Sequence, residues 1–130
     1  MNEEQKKKII LSVLSQGLDD WICFLQLDLV LRDLLNDQDR ESRLRLALDI
    51  IKIMVKRGWI DVGTVDFSGF VSRNLPLDQM VDRIKTEAHN IPERPFLSGG
   101  HYLPGDVCWL NNTLDGDSLA KQKSQDGLVV

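Results

Sequence analysis

Few side chains in this chain could do acid–base, metal or covalent chemistry. The histidines are His89 and His101. His101 stands beside Tyr102, with Glu93 and Asp106 near in sequence, but a general base must be held within hydrogen-bond reach of its substrate, and a solvent-facing loop gives no such hold. His89 falls at the end of a predicted helix, where the negative helix end favours the charged imidazole and a solvated position suffices. No Cys pair, HExxH or acidic loop has the spacing of metal ligands. Ser98-Gly99-Gly100 could turn backbone amides towards an anion, yet no strand leads into it and no Lys follows, so it reads as a turn. Asp78 and Asp82 stand four apart on one predicted helix face beside Arg83 and Lys85, as solvated carboxylates do. Cys23 and Cys108 are each flanked by apolar residues and read as buried free thiols. No catalytic residue, metal ligand or cofactor site is assigned, and the chain reads as non-enzymatic.

The bulk properties agree with that reading. At 130 residues, 42% hydrophobic and 28% charged, the chain fits one globular domain that needs no disulfide or metal to bury a core. Its net charge of −4 gives no broad attraction to nucleic acid or anionic lipid. Lys6 to Lys8 followed by Ile9 to Leu14 imitates a signal peptide. Ser12 and Ser15 interrupt the apolar run, however, and no small-residue cleavage site precedes Asp19 and Asp20. No stretch reaches the roughly 20 apolar residues of a membrane span. A cytoplasmic protein is expected.

The elements that would position any site follow from periodicity. Asn2 to Gln16 reads as a helix with Ile9, Ile10, Val13 and Leu14 on one face, ended by Gly17. DDWICF, residues 19–24, reads as a turn feeding a short extended segment. Leu25 to Leu35 is a second helix with Leu27, Val30, Leu31 and Leu34 inward and Asp28, Arg32 and Asp33 outward. Asp39 to Gly58 is the central element. Its apolar residues cover more than half the helix circumference, leaving a polar stripe of Glu41, Ser42, Arg45, Asp49, Lys52 and Lys56, and Gly58 suits a left-handed stop. Trp59, Ile60 and Val62, then Phe70 and Val71 beyond a Ser68-Gly69 turn, read as a hairpin. Leu77 to Asn90 is a fourth helix. Residues 90–106 form a Pro/Gly loop, Val107 to Leu110 a buried strand, Asn111 to Thr113 a turn, and Asp115 or Asp117 the cap of a last short helix. One domain spans 1–120, with a frayed polar tail at 121–130. Trp21, Trp59 and Trp109 read as core residues whose indole N–H groups need acceptors.

Helix, extended segment, helix, longer helix and then strands is the order of a winged helix. The fold expected is thus α+β and winged-helix-like: three N-terminal helices, then a small antiparallel sheet with an inserted helix and a long Pro/Gly loop. Leu110, Thr113 and Gly116 stand where many bacterial winged-helix domains carry a Leu, a Thr and a Gly near the last wing strand. The chain also resembles small bacterial winged-helix-like proteins with an RGWI helix end, a PGD turn and a WL strand, here Arg57 to Ile60, Pro104 to Asp106 and Trp109-Leu110. Acidic single domains of this size without catalytic groups further resemble the immunity proteins that bacteria make against their own secreted toxins.

Two functions are weighed. The first is a protein-binding module, in the immunity sense one that neutralises a basic toxin domain by steering and a complementary patch. Its candidate surfaces are the stripe Glu41, Arg45, Asp49 and Lys52, and the loop around Arg94, Phe96, His101 and Tyr102. The alternative is a DNA-binding regulator using Arg40, Arg43, Arg45 and Lys52, with the N-terminal helix or the Leu77 to Asn90 helix available for a homodimer. Alternating charges set Glu41 against Arg45 and Asp49 against Lys52, and the hairpin VGTVDFSG offers phosphate no Lys or Arg. Nucleic acid is therefore the disfavoured partner, and no membrane partner is expected.

Overall fold

A computed structural model describes residues 1–36, 38–91, 107–122 and 128–130. Helix α1, Glu3–Gln16, begins at a reciprocal cap: Gln5 N donates to Asn2 Oδ1 at 2.8 Å and Asn2 N donates to Gln5 Oε1 at 3.0 Å. Two of the helix's orphan donors are thereby satisfied. Strand β1 is only Ile22–Cys23, and α2, Phe24–Leu34, follows it directly. Asp39 opens α3, Arg40–Lys56, by accepting from Ser42 N at 2.7 Å. The backbone and side-chain hydrogen bonds of Ser42, with Arg45 and Arg43 nearby, hold the Asp39 carboxyl below its usual range. Gly58 leaves α3 at φ +74°, the left-handed conformation expected of it.

The remaining elements are β2, Ile60–Asp66, β3, Gly69–Ser72, α4, Leu77–His89, β4, Trp109–Asn112, and α5, Leu114–Gln122. The structure is thus α+β, with five helices and a four-stranded antiparallel sheet among the described residues. The strand order is β1-β4-β2-β3. The last strand therefore sits inside the sheet, Leu110 lying opposite both Ile22 of β1 and Val62 of β2. Ile22, Leu110 and Val62 are essentially inaccessible and join one core with Ile9, Leu14, Leu27, Leu31, Ile50 and Met54 from α1, α2 and α3. Helix α3 touches α1, α2, α4 and β2, as its broad apolar surface requires, and α4 covers it with Met80, Val81, Ile84 and Ala88.

Several expected details change. Helix α2 buries Phe24, Leu27, Asp28, Val30 and Leu31, with Leu35 just beyond it, while Leu34 is 43% exposed. The buried face is rotated relative to the one read from the leucines, and Asp28 points inward. Strand β4 runs two residues later than expected, so Asn111 and Asn112 are not a turn but pair with Asp61 and Ile60. Strands disfavour Asn, but here the Asn112 amide donates to Leu14 O at 2.8 Å and Asp117 Oδ1 at 3.1 Å. This fixed hydrogen bonding outweighs the weak propensity. Thr113, not an aspartate, opens α5: its hydroxyl accepts from Gly116 N and donates to Gly58 O. Lys121 and Gln122, assigned by sequence to the frayed tail, form the last turn of α5, and Leu128 is buried.

Candidate functional site

The polar stripe of α3 is present, but its residues find other neighbours than the sequence pairs suggest. Glu41 Oε1 meets His89 Nε2 of α4 at 2.8 Å, so Glu41 ties two helices together rather than pairing with Arg45. Arg45 is exposed and reaches Ser42 Oγ at 3.5 Å. Asp49 and Lys52 form no ion pair with each other among the described residues. Both line an open cleft of about 400 Å³ together with Lys6, Ile53, Lys56, Leu77 and Asp78. Contacts of the C-terminal end of α4 with Glu41, and of its N-terminal end with this cleft, place α4 antiparallel beside the stripe. The second expected surface, Arg94, Phe96, His101 and Tyr102, lies outside the described residues.

Two of the arginines assigned to DNA are used inside the protein. Arg43 is 2% exposed; its Nε donates to the buried Asp28 Oδ1 at 2.8 Å and its Nη1 to Gln38 O at 2.9 Å. That guanidinium is a structural ion pair and is not presented to a phosphate. Arg40 donates to Ile91 O at 2.8 Å and Ala88 O at 3.4 Å, closing the carbonyl end of α4. Of the four, Arg45 and Lys52 are exposed. The sequence carried a signal for Arg43: it stands at intervals of four, seven and eleven from Ala47, Ile50 and Met54, all buried on one face.

The thiols are quiet. Cys23 and Cys108 are free and buried. Burial pushes the Cys108 thiol up to about 12, against a lowering by Arg73 and with smaller raising contributions from Glu87 and Cys23. At neutral pH it is therefore protonated and a poor nucleophile. The nearby Arg73 reaches Glu87 Oε2 and Val107 O, both at 2.8 Å, and joins the end of β3 to α4 and the start of β4. Among the described residues no group of three or more His, Cys, Asp or Glu is placed to hold a metal ion. No helix there is long and apolar enough to cross a membrane.

What the sequence reading missed is the surface around the sheet. Trp21 is not closed into the core but half-buried, its ring 6.5 Å from that of Phe70 and tilted by 32°. It lines a cleft of about 320 Å³ with Gly17, Leu18, Asp19, Asp20, Asn111, Asn112 and Asp117. Phe67 at the tip of the β2–β3 hairpin is fully exposed. Asp66 shapes that tip by accepting from Ser68 N at 2.8 Å and Ser68 Oγ at 2.6 Å, bonds that hold its carboxyl below the usual range. Residues 17–23, 58–72 and 107–119, which hold the four strands, the turn before β1 and the first two turns of α5, contain six aspartates and no Lys or Arg, with Arg57, Arg73 and Lys121 just beyond them. Those segments thus carry −6, against −4 for the whole chain, leaving the remainder at +2. Low Lys and Arg content over separated segments was visible in the sequence, but only the strand pairing brings the segments together.

No protein-family model, curated protein or solved structure matches this chain.

Proposed function

We propose that this chain is a non-enzymatic protein-binding module of winged-helix-like architecture that recognises a basic protein partner, as an immunity protein does a toxin domain. The order helix, short strand, two helices and strands, with the last strand between β1 and β2, supports the architecture. The observation that carries the function is the gathering of aspartates: residues 17–23, 58–72 and 107–119 carry −6, against a net +2 in the rest of the sequence. A segregated charge orients an approaching cationic protein and raises its encounter rate, which a uniformly mixed surface does not do. The buried free thiols suit a reducing compartment, so the cytoplasm is the proposed location.

The DNA-binding alternative has less support. Arg43 is internal, Arg40 closes α4, and the hairpin carries Asp66 and Phe67 where a wing would need a cation. Both readings meet one pair of experiments. The purified chain is used to capture a partner, which is then purified and titrated back by calorimetry at rising salt. A saturable complex with a basic protein, weakening as salt rises, is the expected outcome. In parallel, fluorescence anisotropy of a mixed-sequence duplex is followed at about 50 and about 200 mM salt, a range over which several phosphate contacts lose orders of magnitude in affinity. DNA binding with that slope, and no protein complex, would replace the proposal with the regulator.

A further inference from the structure

The sheet of this protein has two unlike faces. Ile22, Leu110, Val62 and Ile60 are buried under the helices. Cys23, Trp109 and Gly63 lie in register one position along and so belong to the opposite face, where Trp109, Val65 and Phe70 are half-buried. Gly63 leaves room there for the Phe70 ring: a Cβ at Gly63 would stand 2.8 Å from Phe70 Cζ. Beyond Phe70, the Trp21 indole lies against Gly69, and Phe67 projects fully exposed from the hairpin. The aromatic surface is bordered by carboxylates. Asp20 accepts only from the neighbouring Trp21 N, and Asp19 has no hydrogen bond or ion pair with another described residue.

We propose that the face made by Trp21, Phe67 and Phe70, with Asp19, Asp20 and Asp117 lining the cleft beside Trp21, docks an arginine-bearing segment of a basic partner protein. This inference rests on the protein-binding reading and names its surface and the chemistry recognised. Charge complementarity selects the occupant. A second copy of the chain would bring the same aspartates against each other, and like charges held together at low dielectric repel strongly. A compact ammonium would satisfy the carboxylates and leave the aromatic rings uncovered. A guanidinium does both: its plane stacks on an indole while its N–H groups reach carboxylate oxygens at the edge. Asn112, held by Leu14 O and Asp117, keeps the wall of the cleft fixed, so little side-chain ordering remains for the binding step. Phe67 then offers an apolar anchor to whatever flanks the arginine.

The test is a titration of the isotope-labelled full chain with an acetylated, amidated Gly-Arg-Gly-Arg-Gly peptide, followed by amide and indole NMR shifts, with lysine and citrulline versions alongside. Shifts at the Trp21 indole and at the amides of Asp19, Asp20 and Asn112, larger for arginine than lysine and lost with citrulline, are expected. The double variant Asp19→Asn with Asp20→Asn retains the acceptor for Trp21 N and should weaken arginine binding roughly three- to tenfold. Equal response to lysine and arginine, no shift at millimolar peptide, or unchanged binding in the double variant would overturn the proposal. Shifts confined to Glu41, Asp49 and their neighbours would move the surface to α3. They would overturn this face and leave the protein-binding reading standing, because the captured complex tests that reading separately.

Discussion

Arg43 and Asp28 are the residues through which α2 and α3 recognise each other inside the protein. Two charges taken out of water must satisfy each other and their remaining hydrogen-bonding capacity, and Arg43 does so with Asp28 Oδ1 and Gln38 O. Such a pair adds little net stability over an apolar pair of similar volume, whereas removing one partner strands the other charge. Arg43→Ala or Asp28→Ala should therefore destabilise by about 3 to 5 kcal/mol, and the double change Arg43→Met with Asp28→Leu should recover most of that loss. Urea midpoints of the two singles and the double read this directly. Additive losses in the double would show that the pair does not act as a unit. The same pair explains why Arg43 misleads when read from sequence: three arginines within six residues at a helix start look like a phosphate contact until one of them is seen facing the core.

Among the elements, α1 and α3 were legible because both show the 3.6-residue period and a glycine stop, Gly17 for α1 and Gly58 for α3. Less legible was the rotation of α2, since leucines stand at 25, 27, 29, 31, 34 and 35 and support more than one inward face. The end of β4 was missed because Asn111 and Asn112 have the local character of a turn, while the bonds that hold Asn112 come from α1 and α5, far away in sequence. The docking face was illegible for a related reason: Trp21 and Phe70 meet only after the sheet has formed. Gly63 marks how closely the β2–β3 hairpin is packed, for a Cβ there would collide with Val71 O and crowd the Phe70 ring. Gly63→Ala should destabilise the protein by about 1 to 3 kcal/mol, the range for forced overpacking. The denaturant midpoint should fall, with the largest amide shift changes in Phe70 and Val71. An unchanged midpoint would mean that β3 moves aside at no cost.

For the whole molecule, the position of β4 matters as much as the charge it helps to gather. The last of the described strands is an inner strand, hydrogen-bonded on both sides, to β1 and to β2. A chain growing on the ribosome has both neighbours long before it has the strand that joins them. Between Val62 and Leu110 the delay is roughly 2 to 10 s at the usual synthesis rate of about 5–20 residues per second. During that interval Ile22 and Val62 face an open slot, and the unsatisfied edges on either side can pair with any other nascent strand. A chain stopped after residue 106 should therefore retain helical circular dichroism, bind a hydrophobic dye and lose the cooperative melting of the full chain. A synthetic peptide spanning residues 107–122, added in trans, should restore part of that melting. Completion of this sheet is thus expected to wait on translation, and a nascent chain that pauses before β4 should be exposed to chaperones and proteases.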